Sequence, residues 1–137
     1  MPFIRQSESG AATNVVKNEM TEDYLATNGA TAGKAYVDDP LNPGQVVQAD
    51  NTNPAHKNKF KGIAENTVGV GEMVRLRHGG ELHSVGYSFS NLNGPIFYDA
   101  NGDVVETAPV AGDHIQILGT ILKSDRVEVD ADPATAI

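Results

Sequence analysis

The sequence predicts an all-β fold: a small antiparallel barrel or sandwich, with an extended N-terminal arm. Three observations predict it. Short runs of β-forming residues follow one another from residue 34 to residue 130, each bounded by Gly, Pro, Asn or Asp. Several of them alternate apolar and polar residues, the period of a half-buried strand. One phrase also recurs, a glycine, a polar residue and then β-formers: Pro43-Gly44-Gln-Val-Val47, Val70-Gly71-Glu-Met-Val74, Asn101-Gly102-Asp-Val-Val105 and Ala111-Gly112-Asp-His-Ile115. Glycine there permits a positive φ, and the strand starts just after it. The rhythm is turn then strand, without the longer period of a solenoid.

Residues 1–30 read as the arm. Ser, Ala, Thr, Asn and Gly dominate, and the bulky apolar pairs are Phe3-Ile4, Val15-Val16 and Tyr24-Leu25. So little apolar surface does not offset the entropy of ordering the chain alone, so the segment reads as disordered by itself or ordered against a neighbour, with a floppy terminus as the alternative. Within it, Met20–Ala26 allows a turn or two of helix capped by Thr21. The barrel domain spans 31–130. Strands are expected at Lys34–Val37, Gln45–Ala49, Phe60–Glu65, Glu72–His78, Glu81–Phe89, Pro95–Asp99, Val104–Thr107, His114–Leu122 and Arg126–Asp130. In Met73-Val-Arg-Leu-Arg77, Val74 and Leu76 point inward and Arg75 and Arg77 outward. Gly119 interrupts the run from Ile115 to Leu122, which suggests a bulge or a bend between two sheets. The expected core is Ile63, Val74, Leu76, Val85, Tyr87, Phe89, Phe97, Ile115, Ile117, Ile121 and Val127. Residues 131–137 read as a frayed acidic tail.

Composition narrows the function. The 137 residues suit one modest core, and hydrophobic residues make up 39%. There is no cysteine, which excludes disulfides and thiolate metal sites. A net charge of −8 repels phosphate backbones, so no nucleic-acid partner is expected. The start lacks a signal-peptide run, and no stretch approaches the ~20 apolar residues of a membrane span, so no membrane partner is expected either.

No constellation adds up to a catalytic site. His78 and His83 flank Gly79-Gly80, and a hairpin there would bring two imidazoles together as the start of a metal site, with His114 or Asp113 as third ligand. Two strand histidines without metal are the simpler reading. Asp99-Ala-Asn101-Gly-Asp103 resembles the start of a calcium loop, but its glycine is misplaced and Val110 stands where the last acidic ligand belongs. Asn101-Gly102 reads better as a hairpin turn. The serines have no arranged base, and the glycine pairs are not phosphate loops. No cofactor is expected. The one basic stretch is His56-Lys57-Asn-Lys59-Phe-Lys61. In an extended strand Lys57, Lys59 and Lys61 share a face, and Arg75 and Arg77 would extend it into a docking patch for an acidic surface. A solvated strand face is the alternative.

Certain phrases resemble a family. Phe60-Lys-Gly-Ile-Ala-Glu65, Val70-Gly-Glu-Met-Val-Arg-Leu76, Gly80-Glu-Leu82, Pro95-Ile-Phe-Tyr-Asp99 and Ile117-Leu-Gly-Thr-Ile-Leu-Lys123 are similar to phrases of the small decoration, or cement, proteins of tailed-bacteriophage capsids. The likeness covers roughly residues 33–130. It implies a β-barrel or β-tulip domain made in the host cytoplasm and carried on the outer face of the virion capsid, typically as a homotrimer. The partner it implies is the major capsid protein, whose neighbouring subunits such proteins clamp after the shell expands, with Phe3, Ile4, Val15, Val16, Tyr24 and Leu25 of the arm as anchors in capsid or neighbouring-subunit grooves. The competing reading is a head-fibre or tail component that meets a receptor or glycan through Tyr36, Tyr87, Phe89 and Tyr98. A metal-dependent enzyme using His78, His83 and His114 is a third.

Overall fold

A computed structural model describes residues 20–83 and 85–137. The described residues form twelve strands and a single turn of 3-10 helix at Pro54–His56. The first five strands close a barrel in the order β1-β3-β2-β4-β5: β1 (Thr21–Ala26), β2 (Ala35–Asp38), β3 (Gln45–Gln48), β4 (Phe60–Ala64) and β5 (Met73–Arg77). A five-stranded sheet follows, in the order β6-β11-β10-β7-β8. It comprises β6 (Gly80–His83), β7 (Pro95–Tyr98), β8 (Val104–Val105), β10 (Gly119–Lys123) and β11 (Arg126–Val129). A two-stranded ribbon pairs β9 (His114–Ile115) with β12 (Thr135–Ala136).

Two apolar clusters explain which strands alternate. One fills the barrel: Ala26, Tyr36, Val46, Ala64, Val74 and Leu76. The other lies between the barrel wall and the five-stranded sheet, and includes Ala35, Val37, Ile63, Ile96, Tyr98, Leu118, Ile121 and Val127. β2 and β4 therefore have apolar surroundings on both faces. Ala35-Tyr36-Val37 is buried throughout, with Tyr36 in the first cluster and its neighbours in the second. Strands covered on both sides read as continuous apolar runs. β5 has only its inner face covered, so it alternates as expected, with Val74 and Leu76 buried and Met73 and Arg75 exposed.

Gly102 joins the two layers. The hairpin β7–β8 turns through Asp99-Ala-Asn-Gly-Asp103, where the Asp99 carboxylate accepts the N–H groups of Asn101 and Asp103 at 2.8 and 3.0 Å. The turn is thus a hairpin held by its own aspartate. Its tip packs on the barrel: Ala35 N–H donates to the Gly102 carbonyl at 2.8 Å. A Cβ on Gly102 would lie 3.2 Å from the carbonyl oxygens of both Ala35 and Ala49, at a φ of +71°. Only glycine lets the hairpin approach so closely.

Five expectations need correction. Thr21–Ala26 is strand, not helix, and belongs to the barrel, so the arm does not extend to residue 30. β1 pairs antiparallel with β5 from Thr21↔Arg77 to Leu25↔Met73, partners some fifty residues away that no local signal reveals. The barrel is not wholly antiparallel, because β1 closes it on β3 in parallel. The run Glu81–Phe89 is strand only through His83; β6 leaves the barrel and pairs with β11, so His78 and His83 flank a crossover rather than a hairpin. The phase of 114–118 is the reverse of that expected. His114, Gln116 and Leu118 are buried, while Ile115 is half-buried and Ile117 is 36% exposed. Hydrogen bonds accommodate the pair in part: Tyr98 and Asp113 hold His114, and the Gln116 amide donates to the Asp132 carbonyl at 2.9 Å, while the buried Gln116 Oε1 meets no partner among the described residues. Finally, residues 131–137 are docked, with Thr135 and Ala136 paired to β9 and Asp132 N–H bonded to the Ile117 carbonyl. Gly119 does mark the expected break, since β9 and β10 fall in different sheets.

Candidate docking surfaces

The predicted basic patch is divided and largely neutralised. Arg75 and Arg77 lie on the outward face of β5, as the alternation requires. Each has a carboxylate beside it: Asp23 at 3.4 Å for Arg75, and Glu65 for the less exposed Arg77. Lys61 lies in β4 with Asp38 at 3.6 Å. Lys57 and Lys59 precede β4, in the turn that follows the 3-10 helix, so the three lysines do not share one strand face. Paired surface charges of this kind contribute only ~0–1 kcal/mol each and present little net charge to a partner.

Of the arm anchors, Phe3, Ile4, Val15 and Val16 lie outside the described residues. Tyr24 and Leu25 do not belong to an arm. Tyr24 packs against the barrel core, and burial raises its phenol above the ordinary value with the Glu22 carboxylate adding to the effect. Leu25 is half-buried and faces a surface that local reading missed.

That surface is one end of the barrel. Leu25 pairs with Met73 on one side and Gln45 on the other. The segment after β1 holds two loops beside it. Gly71 N–H donates to the Ala26 carbonyl at 2.9 Å, which fixes the 68–72 turn. The Thr27 hydroxyl donates to the Asp39 carboxylate at 2.7 Å, and that carboxylate also accepts the Leu41 N–H and the Asn42 amide. These hydrogen bonds, Asn42's first, hold the Asp39 carboxyl below the usual range, so it stays ionised and keeps the 39–45 turn closed. The same end of the barrel therefore carries Leu41 (86% exposed), Val70 (77% exposed) and Met73 on its loops and strand ends, with half-buried Leu25 paired to Met73. A cluster of large exposed apolar side chains marks a contact surface more often than isolated ones do. The sequence held a signal for it, since Leu41 stands among Pro40, Asn42 and Pro43, and Val70 between Gly69 and Gly71, turns where an apolar side chain has no core to enter.

The histidines are not assembled for metal chemistry. Among the described residues no three His, Cys, Asp or Glu side chains are grouped to hold an ion. His114 is fully buried, its Nδ1 2.8 Å from Asp113 and its Nε2 against the Tyr98 hydroxyl. The tautomer that uses both contacts has Nδ1–H donating to the Asp113 carboxylate and Nε2 accepting from the Tyr98 hydroxyl. Burial pushes the Tyr98 phenol up to about 12, with the Asp50 and Asp113 charges adding, so it remains a donor. His56 is buried on its own turn, where Nδ1 accepts the Asp50 N–H at 3.1 Å. The aromatic residues proposed for glycan stacking do not form an open platform. Tyr36, Tyr98 and Phe89 are buried, and Tyr87 is half-buried with its hydroxyl donating to the Gly33 carbonyl at 2.7 Å.

No protein-family model matches the chain, and no curated protein matches it.

Proposed function

We propose that this protein is a structural virion component that binds the outer surface of a tailed-phage capsid and stabilises the expanded shell by clamping neighbouring major capsid subunits. One observation carries the reading: the phrases that resemble capsid cement proteins are the framework of this fold. Phe60–Glu65 contains β4, Val70–Leu76 contains the turn and most of β5, Pro95–Asp99 contains β7, and Ile117–Lys123 contains β10. They supply Ile63, Leu76, Ile96 and Ile121 to the two cores. The phrases therefore hold residues that set the architecture together with exposed ones such as Val70 and Met73.

The mechanism is binding. A protein that binds only the expanded lattice stabilises it by mass action. A homotrimer with several contacts per copy gains effective concentration for each further contact. The barrel end formed by Leu25, Leu41, Val70 and Met73 is the face assigned to the major capsid protein. The arm residues Phe3, Ile4, Val15 and Val16 add anchorage, and the cations Lys57 and Lys59 contribute at the rim. Neither nucleic acid, membrane nor cofactor takes part.

Sedimentation with expanded, undecorated capsids tests this. Saturable co-sedimentation and a raised shell disruption temperature are expected. Leu41→Asp and Val70→Asp, both at exposed positions, should each weaken binding about tenfold, the effect of losing ~1.4 kcal/mol at an interface. No binding to any capsid form would sink the proposal.

A further inference from the structure

The five-stranded sheet ends at β8, whose Val104 and Val105 pair with β7 alone among the described strands. Its outer edge is open. Beside that edge runs a groove of about 680 Å³, walled on one side by residues 86–89 and on the other by β8 and residues 106–110. The lining is apolar in character. Tyr87 and Phe89 pack ring to ring at 4.9 Å, Val105 is half-buried, and Val110 is 92% exposed at the rim. The carboxylates of Asp99 and Glu106 also line it; Glu106 accepts the N–H groups of Ser90 and Asn91 at 3.1 and 2.8 Å and Asp99 those of Asn101 and Asp103, and neither has a cationic partner among the described residues. An open strand edge beside an apolar groove is the geometry that receives an added strand.

We infer that this groove receives the segment Phe3-Ile4-Arg5 of this same sequence as an additional strand on β8. Two sites outside the described residues carry the matching chemistry, an apolar pair followed by a cation: Phe3-Ile4-Arg5 and Val15-Val16-Lys17. Chain length separates them. Met20 sits against Gly79 and Gly80, at the start of β6, with its carbonyl accepting the His78 N–H at 2.9 Å. β6 and β8 are opposite edges of the five-stranded sheet, so the groove lies roughly 19 Å away, four strand spacings. Val16 is four residues from Met20 and reaches about 13 Å; Ile4 is sixteen residues away and reaches about 53 Å. Phe3-Ile4-Arg5 therefore has enough chain to reach the groove of its own molecule, and as much to reach that of an adjacent copy. In the groove an extended chain alternates its side chains, setting Ile4 against the Tyr87–Phe89 wall and Arg5 toward the carboxylates. The occupant comes from the protein itself, so the inference stands apart from the capsid reading and is tested without capsids.

The chain has no cysteine, so introduced thiols report cleanly. Full-length Ile4→Cys/Val110→Cys is oxidised under mild conditions beside Ile4→Cys/Leu41→Cys, in which the second thiol is as exposed but lies on the barrel. A disulfide needs Cα atoms within about 7 Å. The first pair should cross-link at least about tenfold faster. An intramolecular link and a link between copies both report occupancy, and equal rates in the two variants overturn the inference. Amide hydrogen exchange is the second readout. Exchange at Val104–Glu106 should be about tenfold slower in the wild type than in Phe3→Ser/Ile4→Ser. Identical exchange in the two proteins, or protection that appears only when another protein is added, also overturns it.

Discussion

Replacing Gly119 by alanine would place a Cβ 1.8 Å from the carbonyl oxygen of Glu128 and 2.9 Å from its carbon. Carbon and oxygen atoms in neighbouring strands ordinarily approach no closer than about 3.3 Å. The partner is backbone, so no rotamer relieves the overlap, and β10 and β11 must separate locally by about 1.5 Å. Gly119 sits between two strands, opposite Val129 on β11 and Ile96 on β7. Separation strains the ladder on one side, and compensating movement strains the other. Losing two or three hydrogen bonds at ~1 kcal/mol each, with looser packing around buried Leu118 and Val129, brings the cost to about 4 kcal/mol or more. Gly71→Ala is the matched control. It stands at φ +74° with nothing within 4 Å of its Cβ, so it carries backbone strain alone, about 1 kcal/mol. Urea unfolding followed by tyrosine fluorescence, in a chain without tryptophan, measures both. Gly119→Ala should melt at least ~12 °C lower than wild type and Gly71→Ala ~4 °C lower. If the two substitutions cost the same within 1 kcal/mol, the close approach of β10 to β11 is not what reserves position 119 for glycine.

Two further outcomes follow from buried polar groups. Burial holds the His56 imidazole below its ordinary value of 6.5, so the folded protein binds fewer protons than the unfolded chain as acid is added. This contribution is complete above pH 6.5 and is lost as the pH falls from there toward the lowered folded value, with a slope of at most ~1.4 kcal/mol per pH unit. His56→Gln should flatten a plot of unfolding free energy against pH below 6.5, and an unchanged slope there would contradict the assignment. Tyr98→Phe removes the hydroxyl that meets Nε2 of fully buried His114, and should cost ~1–3 kcal/mol in the same urea assay. A neutral effect would mean that water or a shifted ring satisfies that nitrogen.

The predicted docking residues show why a site is harder to read than a strand. Arg75 and Arg77 were placed outward by a local rule, the alternation of β5, and they are outward. Their neutralisation depends on Asp23, from a strand fifty residues earlier, and on Glu65, which follows the antiparallel neighbour of β5. The apolar barrel end is likewise assembled from β1, the 39–45 turn and the 68–73 segment, and no single stretch of chain contains it. Residues within each stretch hinted at exposure, but nothing local says that they meet.

What the sequence determined by itself was local: an all-β chain, the positions of β2–β5, β7 and β11, the hairpin at Asn101-Gly102 and the break at Gly119. Each depends on side-chain period or on backbone freedom within a few residues. The tertiary structure alone decided the rest. It took Thr21–Ala26 into the barrel by pairing it with β5, closed that barrel in parallel on β3, and docked the C-terminal residues on β9. It also turned His114 and Gln116 inward in place of Ile115 and Ile117. Strand partnership is a contest between long-range hydrogen bonds, and a polar side chain becomes acceptable inside once Tyr98, Asp113 and the Asp132 carbonyl stand ready to receive it.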